Sequence, residues 1–211
     1  MSTVLILGAT SDIGIAIARK FAFEKYNIQL AARNTNHILS LQNDLKIRYN
    51  IACTTHVFDA VETKSHKLFY KQLPTRPDIT ICVFGHMSDN ESALSNFEES
   101  EKMININYTG AVSILNIIAN DYKNKKTGCI VGISSVAGER GKQSNFIYGS
   151  AKAGFTAYLS GLRNYLYNYD VHVLTVLPGF VYTKMTEDLN LPKLLTAQPE
   201  EVANKIFKSV Q

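Results

Sequence analysis

Three side chains near the middle of the sequence have the types and the spacing of a proton-transfer site. Tyr148 and Lys152 are four residues apart in a segment with helical periodicity, so they are expected on one face of a helix. Ser135 comes thirteen residues before Tyr148, just after a short apolar strand segment, residues 129–133. We expect the three to meet in a cleft at the carboxyl edge of a sheet, where open α/β folds bind their ligands.

Carbonyl–alcohol interconversion is the chemistry that suits this trio. A free tyrosine titrates near ~10, which is too high for easy proton exchange at neutral pH. A nearby ammonium favours the phenolate, so Lys152 is expected to lower the pKa of Tyr148. The phenol would then exchange a proton with a carbonyl or alcohol oxygen, while the Ser135 hydroxyl steadies developing negative charge. A hydride carrier would supply the other half of the reaction.

The tyrosine–lysine pair is a weak signal when it is taken alone. Tyr122 and Lys126 repeat the spacing in the polar stretch DYKNKK, which we interpret as a solvated helix end. In isolation, an ordinary helix-face pair would also be the better interpretation of Tyr148 and Lys152. The remainder of the chain therefore has to decide between the two interpretations.

Length and composition indicate one globular domain. The 211 residues, 45% hydrophobic and 19% charged, suit an α/β domain that buries a sizeable core. The net charge of +4 is mild and the basic residues are scattered, so no nucleic-acid partner is expected. We recognise no signal peptide and no apolar run of about 18 residues, so we expect a cytoplasmic protein without a membrane segment. Cys53, Cys82 and Cys129 are interpreted as buried small hydrophobes of a reducing compartment, and no metal site is expected.

Strand and helix patterns alternate along the whole chain. The predicted strands are Thr3–Leu7, Asn27–Ala32 and residues 51–58, 79–84, 129–133 and 171–177; the predicted helices are residues 15–24, 37–49, 64–73, 97–121 and 146–169 and Pro199–Ser209. Six strands that alternate with helices predict an α/β fold with a three-layer, doubly wound parallel sheet, the Rossmann fold, in a single domain over residues 1–211.

The first predicted strand runs into a glycine turn and then a helix, the order that a dinucleotide-binding loop requires. Gly8 would supply the turn and Gly14 the close packing, while Thr10 and Ser11 offer hydroxyls to a phosphate at the helix N-terminus. Asp12 stands where a third glycine is often found. Its carboxylate is unfavourable beside a pyrophosphate unless it points away, for example to cap the helix. The alternative is an ordinary turn between a strand and a helix.

The end of the second predicted strand indicates the cofactor. In a dinucleotide fold this strand end meets the adenosine ribose, where an acid binds the 2′-hydroxyl and an arginine suits a 2′-phosphate. Arg33 and Asn34 follow the strand and no acid is present there. NADP(H) is therefore the preferred cofactor and NAD(H) a possible one, with a solvated arginine as the alternative interpretation.

Three further residues lie near predicted strand ends or inside a helix. Asp59 could hydrogen-bond an adenine amino group or simply cap the next helix. Gly85 lacks a side chain and would let a cofactor approach. Asn107 lies inside the predicted helix 97–121, where an asparagine is unfavourable without a reason. It could kink the helix and hold a water in a proton path.

Together these motifs resemble those of the short-chain dehydrogenase/reductase family. In family order they are Gly8 to Gly14, Asp59, Asn107, Ser135, Tyr148 with Lys152, and Pro178-Gly179 with Thr183; the resemblance covers roughly residues 3–208. It implies a Ser-Tyr-Lys-Asn site that acts on a small carbonyl or alcohol. Tyr148 would be the acid/base and Lys152 would lower its pKa and bind the nicotinamide ribose. Ser135 would orient the carbonyl, and Asn107 would position a relay water.

The resemblance also implies a cofactor site, a substrate segment and an assembly. The implied cofactor contacts are Gly8, Thr10, Ser11, Asp12, Ile13, Gly14, Arg33, Asn34, Asp59, Ala60, Phe84, Gly85, Tyr148, Lys152, Pro178, Gly179, Val181 and Thr183. The substrate segment would be about residues 179–197. A homodimer or homotetramer is expected through the helices of Asn107 and Tyr148. Seven apolar residues would suit that interface, or equally packing on the sheet: Ile114, Leu115, Ile118, Phe155, Tyr158, Leu159 and Leu162.

Three departures from the family pattern accompany these matches. The glycine loop has Leu7 in place of a threonine and Asp12 in place of a glycine, and Cys82-Val83-Phe84-Gly85 replaces Asn-Asn-Ala-Gly. Few residues follow Thr183, which implies either an open, minimal pocket or a natural chain that continues beyond Gln211.

Two narrower interpretations follow. The stretches GATSDIG, AARN, FGHMSDN and NINYTG are similar to bacterial keto-reductases of cell-envelope polysaccharide biosynthesis and decaprenylphosphoryl-ribose epimerisation, which suggests a sugar or lipid-linked sugar substrate and a membrane-peripheral location. The alternative from another class is a non-catalytic NADP-sensing or scaffold protein. The altered glycine loop favours that alternative, whereas the intact Ser135, Tyr148 and Lys152 argue against it.

Overall fold

The computed structural model describes residues 1–187, 192 and 195–211. Its main sheet consists of β1 Thr3–Leu7, β2 Asn27–Ala32, β3 Cys53–Val57, β4 Ile79–Cys82, β5 Gly128–Ile133 and β6 Val171–Val176. All neighbours are parallel, in the order β3-β2-β1-β4-β5-β6. The chain changes direction across the sheet between β1 and β4, so their carboxyl ends form the crevice that this topology uses for ligands. The predicted doubly wound α/β fold is confirmed.

Eight α-helices are assigned within the described ranges. They are α1 Asp12–Phe23, α2 Leu39–Tyr49, α3 His66–Gln72, α4 Asn90–Ser95, α5 Phe97–Ile104, α6 Gly110–Lys125, α7 Phe146–Leu166 and α8 Pro199–Ser209. Helices α1, α2 and α8 cover one face of the sheet, whereas α3, α6 and α7 cover the other. Every residue of β1 is buried between the two layers, which explains its continuous apolar sequence.

The predicted helical region 97–121 is helical throughout, but a π-helical turn divides it. After α5, the residues Asn105–Thr109 form a π-helical turn before α6 begins. A π turn leaves a bulge in the helical ladder, and such bulges often occur at functional sites. Helix α4 was not predicted, because its sequence NESALS has no apolar periodicity; Asp89 caps it by accepting a hydrogen bond from Ser92 N.

A small second sheet lies after β6. It pairs β7 Phe180–Val181 with β8 Thr196–Ala197. Both strands belong to the predicted substrate segment 179–197, of which residues 188–191, 193 and 194 lie outside the described residues.

Seven apolar residues of α6 and α7 follow the second of their two predicted interpretations, which is packing on the sheet. Of the seven proposed for a subunit interface, six are buried in the core beneath α6 and α7, and Tyr158 packs against that core. They therefore do not indicate an interface. Tyr122 is 1% exposed and its hydroxyl lies 2.9 Å from Thr80 Oγ1, so the solvated interpretation is wrong for this side chain, because α6 turns it toward the sheet. The three cysteines are free and buried, as predicted.

The described residues contain no helix with the length and apolar character required to cross a bilayer.

Candidate active site

Ser135, Tyr148 and Lys152 line one cleft at the carboxyl edge of the sheet. Ser135 follows the end of β5, where its hydroxyl accepts a hydrogen bond from Ala137 N at 3.1 Å. Tyr148 and Lys152 lie in the first two turns of α7, on the side that faces the sheet edge. A strand end and a helix start thus bring together side chains that are far apart in sequence.

The cleft has a volume of about 360 Å³ and is bordered by the ends of β1, β4, β5 and β6. The predicted site residues that line it are Thr10, Ser11, Asp12, Ile13, Phe84, Gly85, Ser135, Tyr148, Lys152, Pro178, Gly179, Val181 and Thr183. The predicted residues outside this lining are Gly8, Gly14, Arg33, Asn34, Asp59, Ala60 and Asn107. Gly8 and Gly14 lie behind the loop, whereas Arg33 and Asp59 follow the ends of the two strands farther out.

The Lys152 ammonium is buried with few partners. The residue is 3% exposed, and its one side-chain hydrogen bond to a described residue goes to Ile133 O at 3.0 Å. Burial lowers the pKa of Lys152 to about 8, because a charge is costly away from water. Lys152 Nζ lies 5.8 Å from the centre of the Tyr148 ring. An ammonium has three hydrogens to donate, so this one can bind further acceptors in the cleft.

The pKa of Tyr148 does not follow the expectation from the sequence. Burial raises it to about 12, and the nearby Ser135 hydroxyl opposes this effect only in part. The lowering that we expected from Lys152 is absent, and the loss of solvation, which disfavours the phenolate, is the larger effect on this pKa. A phenol with this pKa is neutral near pH 7.

Asn107 holds the π-helical turn against the loop after β4. Its Oδ1 accepts from His86 N at 3.2 Å, and its Nδ2 donates to His86 O at 2.6 Å and to Met103 O at 2.9 Å. The helical region is thus irregular at this asparagine, where a kink was predicted. Both amide hydrogens are used, so a water held by Asn107 would need the second lone pair of Oδ1 or the backbone. The side chain is 1% exposed, which makes these bonds costly to lose.

We expect Asn107→Leu to lower the free energy of unfolding by roughly 3 kcal/mol, since His86 N, His86 O and Met103 O would be left without their partner. Urea unfolding followed by circular dichroism measures the loss. Asn120→Leu, at an exposed position of α6, is the matched control and should change stability by less than about 0.5 kcal/mol. An equal effect in both variants would show that the Asn107 bonds do not stabilise the turn.

The glycine loop is fixed by its own backbone and by Ser11. Gly8 has φ +100°, and a Cβ there would lie 2.5 Å from Phe84 N, so only glycine fits. Ser11 Oγ donates to Gly8 O and accepts from Gly14 N, which caps α1. Its hydroxyl is therefore committed to the loop, contrary to the predicted role on a phosphate.

The Asp12 carboxylate has a backbone partner at the edge of the cleft. Its Oδ2 accepts a hydrogen bond from Lys184 N at 2.8 Å, which links the first turn of α1 to the segment after Thr183. Ser11 and not Asp12 caps the helix, and this backbone hydrogen bond partly compensates the Asp12 carboxylate within the cleft lining. A carboxylate in the first turn also complements the helix dipole.

Backbone hydrogen bonds connect the central strands at the altered Cys82-Val83-Phe84-Gly85 stretch. Val83 N and Phe84 N both donate to Leu7 O, at 2.9 and 3.1 Å. On the other side of β1, Gly8 N and Ala9 N both donate to Ala31 O. The missing side-chain amides are therefore not required to hold these strand ends together.

The residues at the adenosine side are on the surface. Arg33 and Asn34 are exposed, and Asn34 Oδ1 accepts from Asn36 N as the cap of a short 3-10 turn. Burial, Lys102 and, to a smaller extent, Arg33 lower the pKa of His86, which places the Arg33 charge near the loop after β4. Asp59 Oδ1 accepts from Val61 N at 3.1 Å, within the turn before the next helix, so it does not cap that helix, and its contact with an adenine stays a prediction.

Several residues of the cleft wall were not among the predicted site residues, and Lys142 and Asn145 are the polar ones that lie just before α7. Lys142 and Asn145 both line the cleft from the loop that precedes α7. Their signal in the sequence is position alone: Asn145 comes three residues before Tyr148 and thus lies on the same side of the helix start.

The known proteins that this chain resembles are dehydrogenases, oxidoreductases and reductases. The family model described as short chain dehydrogenase matches residues 2–193. An uncharacterized oxidoreductase of Mycobacterium tuberculosis is 33% identical over 203 residues, which cover 95% of this chain and 81% of the relative. A 3-oxoacyl-[acyl-carrier-protein] reductase of Rickettsia bellii is 27% identical over 214 residues, 97% of this chain and 87% of the relative.

Solved structures share the fold. A short-chain dehydrogenase from Sphingobium yanoikuyae, in complex with NADPH, has a TM-score of 0.89 at 24% identity and covers 100% of this chain and 84% of its own. A variant of actinorhodin polyketide ketoreductase, with NADPH, has a TM-score of 0.89 at 21% identity and covers 100% of this chain and 90% of its own.

Proposed function

Because this chain belongs to the short chain dehydrogenase family, an oxidoreductase family, we propose that it interconverts a carbonyl and an alcohol with NADP(H) as its hydride carrier. The observation that carries the proposal is the buried ammonium of Lys152 beside the neutral phenol of Tyr148 in a cleft bordered by the glycine loop. Two ionisable groups with shifted pKa values, one buried and one half-buried, at a ligand crevice are typical of a catalytic site.

The cleft fits a dinucleotide at three points. A Cβ at Gly85 would lie 3.0 Å from Asn107 Oδ1 and 3.6 Å from Lys152 Nζ, so the missing side chain leaves room for a flat ring beside the ammonium. Lys152 has hydrogens left to donate to ribose hydroxyls. Thr10 to Ile13 line the cleft at the N-terminus of α1, where backbone N–H groups and the helix dipole favour a phosphate.

The chain's own residues would handle the proton and the developing charge. When bound, the nicotinamide supplies a hydride to the carbonyl carbon. Tyr148, kept neutral by burial, would donate its proton to the carbonyl oxygen, and the Ser135 hydroxyl would orient that oxygen through a hydrogen bond. The phenolate left on Tyr148 would then be stabilised by the Ser135 hydroxyl and the Lys152 ammonium. Asn107 would act by fixing the loop at His86 behind Gly85.

The direct test of this proposal is a titration with NADPH and with NADH, followed by nicotinamide fluorescence, and then a carbonyl panel that follows NADPH consumption. Tight NADPH binding with turnover of a carbonyl supports the proposal, whereas absence of binding to either cofactor overturns it. Cofactor binding without turnover of any carbonyl would favour the second candidate, a non-catalytic NADP-sensing or scaffold protein. The altered glycine loop is the observation that favours that candidate.

Arg33 is expected to select NADP(H). Arg33→Ala should weaken NADPH binding by about 10–100-fold, because a charge-assisted contact to the 2′-phosphate is lost, and should leave NADH binding unchanged. Fluorescence titration measures both dissociation constants. Arg19→Ala, which removes an exposed arginine of α1, is the control. If Arg33→Ala weakens the binding of NADPH and of NADH equally, the arginine does not recognise the 2′-phosphate.

Narrower features of the proposal depend on the family resemblance. A sugar or lipid-linked sugar of envelope polysaccharide biosynthesis is one substrate class, and keto-sugars in the carbonyl panel test it. A homodimer or homotetramer is the expected assembly, which light scattering tests. A membrane-peripheral location is tested by sedimentation with vesicles.

A further inference from the structure

Asn145 is the N-cap residue of α7, but its side chain does not cap the helix. It directly precedes α7, with φ −159° and ψ 36°, and its side chain makes no hydrogen bond to the first turn of the helix. Asparagine is among the residues most favoured at this position, because its oxygen normally accepts from a backbone N–H two or three residues later. The side chain of Asn145 is thus available for another partner.

Asn90 on α4 supplies the missing contact to the start of α7. Its Oδ1 accepts from Ile147 N at 3.3 Å, and its Nδ2 donates to Gln143 O at 3.4 Å. Asn90 is 6% exposed, so these bonds are shielded from water. Asn90 therefore fixes the loop and the start of α7, up to the residue before Tyr148. The Asn145 amide takes no part in these hydrogen bonds.

The Asn145 amide has no partner among the described residues. Its Oδ1 is buried and unpaired, and no side-chain hydrogen bond of its Nδ2 is present in that part of the chain. Most buried polar atoms in proteins are paired, so an orphan in a cleft wall calls for a ligand. The last torsion of an asparagine has a broad energy minimum, so the amide can turn its oxygen toward the cleft.

The walls of the same cleft provide apolar surface. Val136, Phe180 and Met185 line it with 38%, 41% and 43% of their surface exposed, and Met87 lines it as well. Asn145 directly precedes α7, three residues before Tyr148, and both residues line the cleft. A ligand held by Tyr148 through its carbonyl would therefore present the next one or two atoms to Asn145.

We propose that Asn145 accepts a hydrogen bond from a substrate hydroxyl close to the reacting carbonyl, so that the preferred substrates are hydroxyketones with an otherwise apolar body. This inference rests on the proposed function and names the substrate class of that same cleft. It makes Asn145 a specificity-determining residue: sites that hydrogen-bond a hydroxyl discriminate strongly against analogues that lack it.

The test compares two matched probes on protein saturated with NADPH. 2-Hydroxyacetophenone offers a donor beside its ketone, whereas 2-methoxyacetophenone offers only an acceptor. Binding of each is measured by ligand-observed NMR, and kcat/KM is measured separately. The wild type should favour the hydroxy compound by about tenfold or more in both measurements. Asn145→Leu should bring the ratio to within about threefold, and Asn145→Asp, which keeps the acceptor, should retain the preference.

Each outcome decides a different point. Equal binding of the two probes by the wild type, no binding of either, or an unchanged preference in Asn145→Leu overturns the inference. A uniform loss of thermal stability and of kcat with both probes in Asn145→Leu also overturns it, because that pattern indicates a structural role. Selective binding without turnover leaves Asn145 as a hydroxyl site and counts against the proposed reductase function instead. Asn120→Leu is the control that should keep the wild-type ratio.

Discussion

Tyr148→Phe is expected to lower kcat by about three orders of magnitude while NADPH binding and thermal stability stay close to those of the wild type. The substitution removes one hydroxyl and leaves the ring in place, so the cleft keeps its shape. Burial holds this phenol in its protonated form, with a pKa of about 12, and the proposed role needs that proton for the carbonyl oxygen. Stopped-flow and steady-state NADPH consumption measure the loss.

Tyr158→Phe provides the matched control for that experiment. Tyr158 lies on the same helix, and its hydroxyl donates to Asn116 Oδ1 at 2.9 Å outside the cleft. It should keep at least about half of the wild-type kcat, since surface substitutions of this kind have small effects. Normal turnover in Tyr148→Phe would remove tyrosine from the mechanism. A lost cofactor affinity would instead show that the phenol contributes to binding more than to proton transfer.

The strands and the catalytic helix were predictable because their signals are local. The segments Thr3–Leu7 and Asn27–Ala32 became β1 and β2 with the predicted bounds, since strands buried on both faces have mostly apolar sequences. The spacing of Tyr148 and Lys152 put both in one cleft once the first turns of α7 faced the sheet edge.

Features that depend on tertiary contacts could not be predicted from the sequence. The π turn at Asn107 depends on three hydrogen bonds to backbone groups, two of them on a distant loop. The unpaired amide oxygen of Asn145 could not be predicted, because the hydrogen bond to the start of α7 comes from Asn90, which lies on a helix that was not predicted. The pKa of Tyr148 was misjudged for the same reason, because its spacing from Lys152 reports a charge but not the burial that outweighs it.

Lys152→Met is expected to abolish most turnover and also to change how stability depends on pH. The pKa of Lys152 is about 8 in the folded chain, against ~10.4 in an unfolded one. Below about pH 8 both states carry the charge, and the folded state bears the full cost of burying it. Between these two pKa values the unfolded chain holds a proton that the folded chain has released, so stability rises with pH through that window.

The free energy of unfolding of the cofactor-free wild type should therefore rise by about 2 kcal/mol more than that of Lys152→Met between about pH 7 and about pH 9.5. Urea unfolding at both pH values measures this difference, in which the titration of groups common to the two proteins cancels. Lys205→Met, at an exposed position of α8, retains Lys152 and should follow the wild type. If the wild type and Lys152→Met show the same pH dependence, the ammonium is better solvated or better paired than its single bond to Ile133 O indicates. The same burial leaves the Lys152 ammonium with few partners, so it can stabilise the phenolate of Tyr148. Lys152 is therefore expected to lower stability near neutral pH and to support proton transfer.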